Sequence, residues 1–173
     1  EIRKDLFKKF GKEKLYSDGL IIKTALDSNI QKSANQSLIE GLIEYEKKQG
    51  WNGLIANTTF ENFFNNKNKY DKLNPFFPEW EIVIIDKIYQ NKIQAFNILK
   101  SKININLDND YNNWLLDENF KKGDLIYVVK NNNVYIITQE PKVNGAIIVL
   151  DPHSGDILAL SGGYSFKKSE FNR

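Results

Sequence analysis

The chain has 173 residues, 41% hydrophobic and 13% aromatic, which is enough apolar mass for a packed core and argues against global disorder. Its 24 basic and 22 acidic residues leave a net charge of +2, and only two of the basic residues are Arg, which speaks against a nucleic-acid-binding domain built on concentrated positive charge. Cysteine is absent, excluding disulfides and thiol chemistry, and no apolar run approaches the ~20 residues of a membrane span.

Nothing at the start has the form of a signal peptide. The chain opens on Glu1 and contains no methionine, as expected of a piece of a longer protein. Asn, Ile and Lys dominate, so runs such as NNKNKYDK and KNNN read as compositional bias.

In chain order, Ile2, Leu6 and Phe10 share one helical face, and Gly11 follows as a C-cap. GLIIKTAL, after Asp18-Gly19, reads as a strand. Ile30, Ala34, Leu38, Leu42 and Tyr45 then form the apolar stripe of a helix over 28–48, with Ser28 and Gln31 as a capping box and Gly50 as the stop. Residues 51–79 are Asn-rich and irregular, with a helical turn around FENFF. From Trp80 the pattern turns to β. WEIVIIDKIYQNKIQAFNI predicts two strands joined near Gln90-Asn91, and KININL puts Ile103, Ile105 and Leu107 on one face. DLIYVVKNNNVYIITQ predicts a hairpin around 131–133, where Asn tolerates positive φ. A last hairpin runs through GAIIVL, turns at Asp151-Pro152-His153-Ser154-Gly155 and returns as DILAL. Such closely spaced short strands favour a small barrel or sandwich over a parallel sheet.

Both ends of the chain resemble one family. LYSDGLIIKTALDSNIQKSANQSLIEGLIEYEKKQGW and GAIIVLDPHSGDILALSGGYSFKKSEFNR are similar to the segments flanking the OB-like domain of class A penicillin-binding proteins. The first match is carried by Thr24, Leu26, Asp27, Gly50 and Trp51, with Ala25 replacing a second Thr. Leu150-Asp151-Pro152, Gly155, Gly162-Gly163 and Phe171-Asn172-Arg173 carry the second, whereas 51–118 matches weakly. The resemblance implies a linker over 1–50, an OB-like docking domain over 51–143, and the first hairpin of a transpeptidase over 144–173. The expected fold is therefore α+β and mainly antiparallel: a small OB-like β-barrel inserted in a linker of one long helix and a short antiparallel sheet of GLIIKTAL, GAIIVL and DILAL. It further implies a periplasmic position in a protein anchored in the inner membrane, between glycosyltransferase and transpeptidase domains of the same chain, with an envelope regulator protein as a candidate partner. It implies no cofactor, metal or nucleic acid.

Candidate chemistry reads weakly beside this. Ser165-Phe166-Lys167-Lys168 has the S-x-x-K form of the acylated serine and its lysine in penicillin-recognising enzymes. Only Ser33-Ala34-Asn35 and Lys23-Thr24-Ala25 approach the companion motifs, upstream and in reversed order, so Ser165 and Lys168 read as a chance match. The resemblance puts the true nucleophile beyond Arg173. His153, the sole histidine, lies in a turn and reads as exposed. Asp108, Asp110 and Asn112 mimic the start of a calcium loop, but Asn113 and Asn119 replace its glycine and its bidentate glutamate. Glu79 and Glu81 flank Trp80 as a solvent face. The aromatics Phe76, Phe77, Trp80, Tyr89, Phe96, Tyr111, Trp114, Tyr127 and Tyr135 read mostly as core, although an exposed cluster in 60–78 would mark a partner surface. The alternative is a free-standing OB-type oligonucleotide-binding domain, stacking bases on these rings; a stand-alone acyl-serine enzyme using Ser165 is a third.

Overall fold

The computed structural model describes residues 2–17, 21–73 and 79–163. Helix α1 (Ile2–Ser17) contains Gly11 at φ 75 and ψ 171, so the expected stop is a kink beyond which the helix resumes. Helix α2 (Ser28–Gln49) is capped by Asp27, whose carboxylate accepts from Asn29 N–H and Ile30 N–H. The cap therefore lies one residue before Ser28, and the capping box does not form. Gln31 is engaged elsewhere, donating to Asn35 Oδ1 and accepting Leu160 N–H at 3.1 Å.

The central unit is one six-stranded antiparallel sheet: β1 (Ala56–Asn57), β2 (Trp80–Tyr89), β3 (Lys92–Asn97), β4 (Lys102–Asn106), β5 (Asp124–Asn131) and β6 (Val134–Thr138). The order is β1-β5-β2-β3-β4, with β6 also on β5. The β2–β3 turn lies at Gln90-Asn91, and Asn132 supplies the positive φ of 49 in the β5–β6 hairpin, both as the sequence predicts. The unbroken apolar run of β2 is explained by burial on both faces. Val83 and Ile85 join Ile105, Ile126 and Leu115 in one core, while Ile82 and Ile84 face a second layer with Leu125, Tyr127 and Phe63.

Helix α3 (Phe60–Asn65), capped by Thr59, and helix α4 (Lys67–Leu73) cover that second layer. Phe63 and Tyr70 are buried against the sheet and Phe60 and Phe64 half-buried, so the described part of the 60–78 aromatic cluster is core. Along α2, Ile39 and Ile43 pack on the same layer, whereas Tyr45 is 51% exposed and leaves the predicted stripe.

The sheet curls without closing into a hydrogen-bonded barrel, since β4 and β6 share no ladder. Asn112 spans the gap instead. Its Nδ2 donates to Asn106 O at 2.8 Å and Tyr135 O at 3.0 Å, and its Oδ1 accepts Ile137 N–H at 2.9 Å.

After the sheet, β7 (Ile147–Leu150) and β8 (Ile157–Ser161) form a hairpin that packs on α2. The described residues form no third strand there. Residues 21–27 are irregular and exposed, with Ile21 at 88%, and their backbone link to the hairpin is Asp27 N–H to Leu158 O at 2.9 Å. No described helix is long and apolar enough to cross a membrane.

Candidate functional site: a buried polar neck

The chain leaves α2 at Gly50, builds the sheet, and comes back to α2 at Lys142 and Val143. Both crossings are tied by side chains far apart in sequence. Gln139 is fully buried; its Oε1 accepts Asn52 N–H at 2.8 Å and its Nε2 donates to Gly50 O at 3.0 Å. The outgoing chain thereby forms both bonds of a strand pair with one side chain of the returning chain. Gly50 adopts φ 101, ends the helix with its N–H on Lys47 O, and turns the chain into the sheet.

Glu46 holds the returning chain. It is 3% exposed, and its carboxylate accepts Lys142 N–H at 3.1 Å, Val143 N–H at 3.0 Å and Asn52 Nδ2 at 2.8 Å. Burial alone would raise its pKa. The bonds from Asn52, Val143 and Lys142, with the Lys142 charge, outweigh that, so the carboxyl is held below its ordinary range. Asn52 Oδ1, next to these groups, is buried without a partner. Trp51 seats the neck on the sheet core, its ring 5.5 Å from Phe120 edge-on and 6.0 Å from Trp114.

The sequence-predicted positions distribute unevenly around this neck. Trp51 belongs to it and Asp27 caps the helix that bears it, while Thr24 lies in the exposed 21–27 segment. Asp151, Pro152 and Gly155 build the hairpin turn. Asp151 Oδ1 accepts Ser154 N–H and His153 N–H, which hold its carboxyl below the usual range, and Gly155 sits at φ 76. The His153 side chain is exposed in that turn. Gly162 and Gly163 follow β8, and a Cβ on Gly163 would come within 3.0 Å of the Asn144 amide. Ser165, Lys168, Phe171, Asn172 and Arg173, with Phe76 and Phe77, lie outside the described residues.

The companion-motif and calcium-loop residues are not brought together as sites. Ser33 is exposed within α2, Lys23 is exposed in the irregular segment before it, and the Asn112 amide is used by strand backbones. Asp108 and Asp110 are exposed, and no group of three acidic or histidine side chains converges among the described residues. Trp80 and Tyr127 are buried, 5.4 Å apart, and unavailable to stack a base; Glu81 is half-buried and accepts from Asn97.

Glu46, Asn52 and Gln139 escaped the sequence reading. One signal pointed at the first. Ala34, Leu38 and Leu42 continue in steps of four to Glu46, a carboxylate at a core position of an apolar stripe.

No protein-family model matches the chain. It is 35% identical over 172 residues to penicillin-binding protein 1A of Rickettsia prowazekii, covering 94% of this chain and 21% of that protein. The protein of that name from Rickettsia bellii is 33% identical over 182 residues, covering all of this chain and 22% of its own length. The chain thus spans about a fifth of the length of these curated relatives. Among solved structures, penicillin-binding protein 1A of Haemophilus influenzae superposes with a TM-score of 0.69 at 24% identity, over 99% of this chain and 26% of that one, and so shares the fold.

Proposed function

We propose that this chain, which belongs to the class A penicillin-binding proteins, is a non-catalytic linker and docking segment of a peptidoglycan synthase. The longer protein would polymerise glycan strands and cross-link their peptides at the outer face of the inner membrane. Within it, residues 1–50 serve as linker, 51–143 as an OB-like docking domain and 144–173 as the first hairpin of the transpeptidase.

The observation that carries this reading is the neck. A sheet that departs from α2 at Gly50 and returns at Val143 is a side module on a continuous support, which is the layout of a surface offered to a regulator. Penicillin-binding relatives over nearly the whole chain supply the context. On this view the exposed Ile148, Leu150 and Ile157 of the hairpin are the face that the remaining transpeptidase covers.

Labelling with fluorescent penicillin tests both halves of the proposal. The chain alone is expected to stay unlabelled, and the longer polypeptide to label at a serine beyond Arg173. Labelling of the chain alone, abolished by Ser165→Ala, would overturn the non-catalytic reading. An unlabelled but folded longer polypeptide would overturn the synthase reading.

A further inference from the structure

Two chain crossings with nothing else between them would make a hinge, the usual seat of domain motion. Here α2 touches both bodies along its length. Near its start Gln31 accepts from Leu160 of β8, and in its middle Leu38 and Leu42 fill the space beside Gly145. On another face Ile39 and Ile43 lie on the aromatic layer of the sheet. Apolar layers of this kind tolerate sliding. The carboxylate of Glu46 does not, because its three bonds are directional, charge-assisted and fixed to backbone and amide donors.

We infer that Glu46 is a positioning residue that welds the sheet and the β7–β8 hairpin into one rigid body through α2. The sheet then cannot swing about its neck, and a load applied to it is delivered to the hairpin. This property belongs to the chain itself and holds whatever the sheet binds, so its failure would leave the docking proposal standing.

The absence of cysteine makes the test direct. Asn104→Cys on β4 and His153→Cys in the β7–β8 turn are exposed sites that take a pair of spin labels as the only thiols. Pulsed dipolar spectroscopy should give a single narrow distance peak. Glu46→Gln should preserve it, since the amide oxygen still accepts from Lys142 and Val143, and a flip of the Asn52 amide turns its unpartnered oxygen toward the new donor. Glu46→Leu should replace the peak by a broad or multiple distribution. Ile105→Val trims the sheet core without touching the neck's hydrogen bonds and should leave the peak narrow. A narrow peak in Glu46→Leu, or equal broadening in Ile105→Val, overturns the inference. If Glu46→Leu does not fold, hydrogen exchange in the unsubstituted chain decides. Lys142 and Val143 amides should exchange as slowly as Ile126 in β5, and exchange at the rate of exposed turns overturns it.

Discussion

Gly53 lies against Gln139 with no room for a side chain. A Cβ at this position would stand 2.6 Å from Gln139 Cβ and 2.7 Å from the Trp51 ring. The requirement is one of packing, with the neck's two chains meeting at a glycine. Gly53→Ala should therefore destabilise the chain by roughly 1–3 kcal/mol through overpacking. Chemical denaturation measures this, and an unchanged midpoint would mean the neck is looser than described.

Glu46 gives the neck a pH dependence of fixed sign. Its folded-state pKa lies below the ordinary 4.5, so folding favours the charged form. That contribution is complete above the unfolded pKa and is lost as pH falls through the folded value. The unfolding midpoint should drop below about pH 4.5, and less steeply in Glu46→Gln, in thermal melts across pH 3–7. Glu46→Ala should cost on the order of 3 kcal/mol at neutral pH, because it strands three donors.

Asn112 stands in for a missing ladder between β4 and β6. Asn112→Ala removes three hydrogen bonds at a fully buried position, and a loss of about 2–4 kcal/mol is expected. Asn112→Asp keeps the acceptor for Ile137 N–H but loses both donors and buries a charge, so it should be no milder. Hydrogen exchange at Ile137 should accelerate in both variants.

The cap of α2 distinguishes neighbouring residues. Asp27→Ala should cost about 1 kcal/mol, the usual worth of an N-cap, and Ser28→Ala much less. Urea titrations of the two variants compare them directly. Equal effects would restore the capping box.

Where one physical signal governed a segment, the sequence was readable. Strict alternation in KININL put Ile103 and Ile105 inside, and Asn132 took the positive φ expected of a tight hairpin. Where a segment serves two partners, pattern reading faltered. Helix α2 packs Leu38 and Leu42 by the hairpin and Ile39 and Ile43 on the sheet, so a single stripe ending at Tyr45 described only half of it. GLIIKTAL has strand composition, but none of its described residues pairs with β8; the one backbone bond comes from Asp27, the residue after it. Family resemblance singled out Trp51 and Asp151 as motif positions, yet the neck's polar residues carry no motif. Glu46 and Val143 are 97 positions apart and Gln139 and Gly50 are 89 apart; only the fold brings them together.

The bonds from Gln139 to Asn52 and Gly50 have an architectural consequence. Because one side chain, Gln139, ties the outgoing and returning chains together, everything between them is inserted as a unit with adjacent ends. Its loops away from α2 can lengthen or shrink without disturbing the neck, whereas the layer under Ile39 and Ile43 has to keep its apolar face. Closing so short a gap costs little chain entropy, and added loop length costs only logarithmically more.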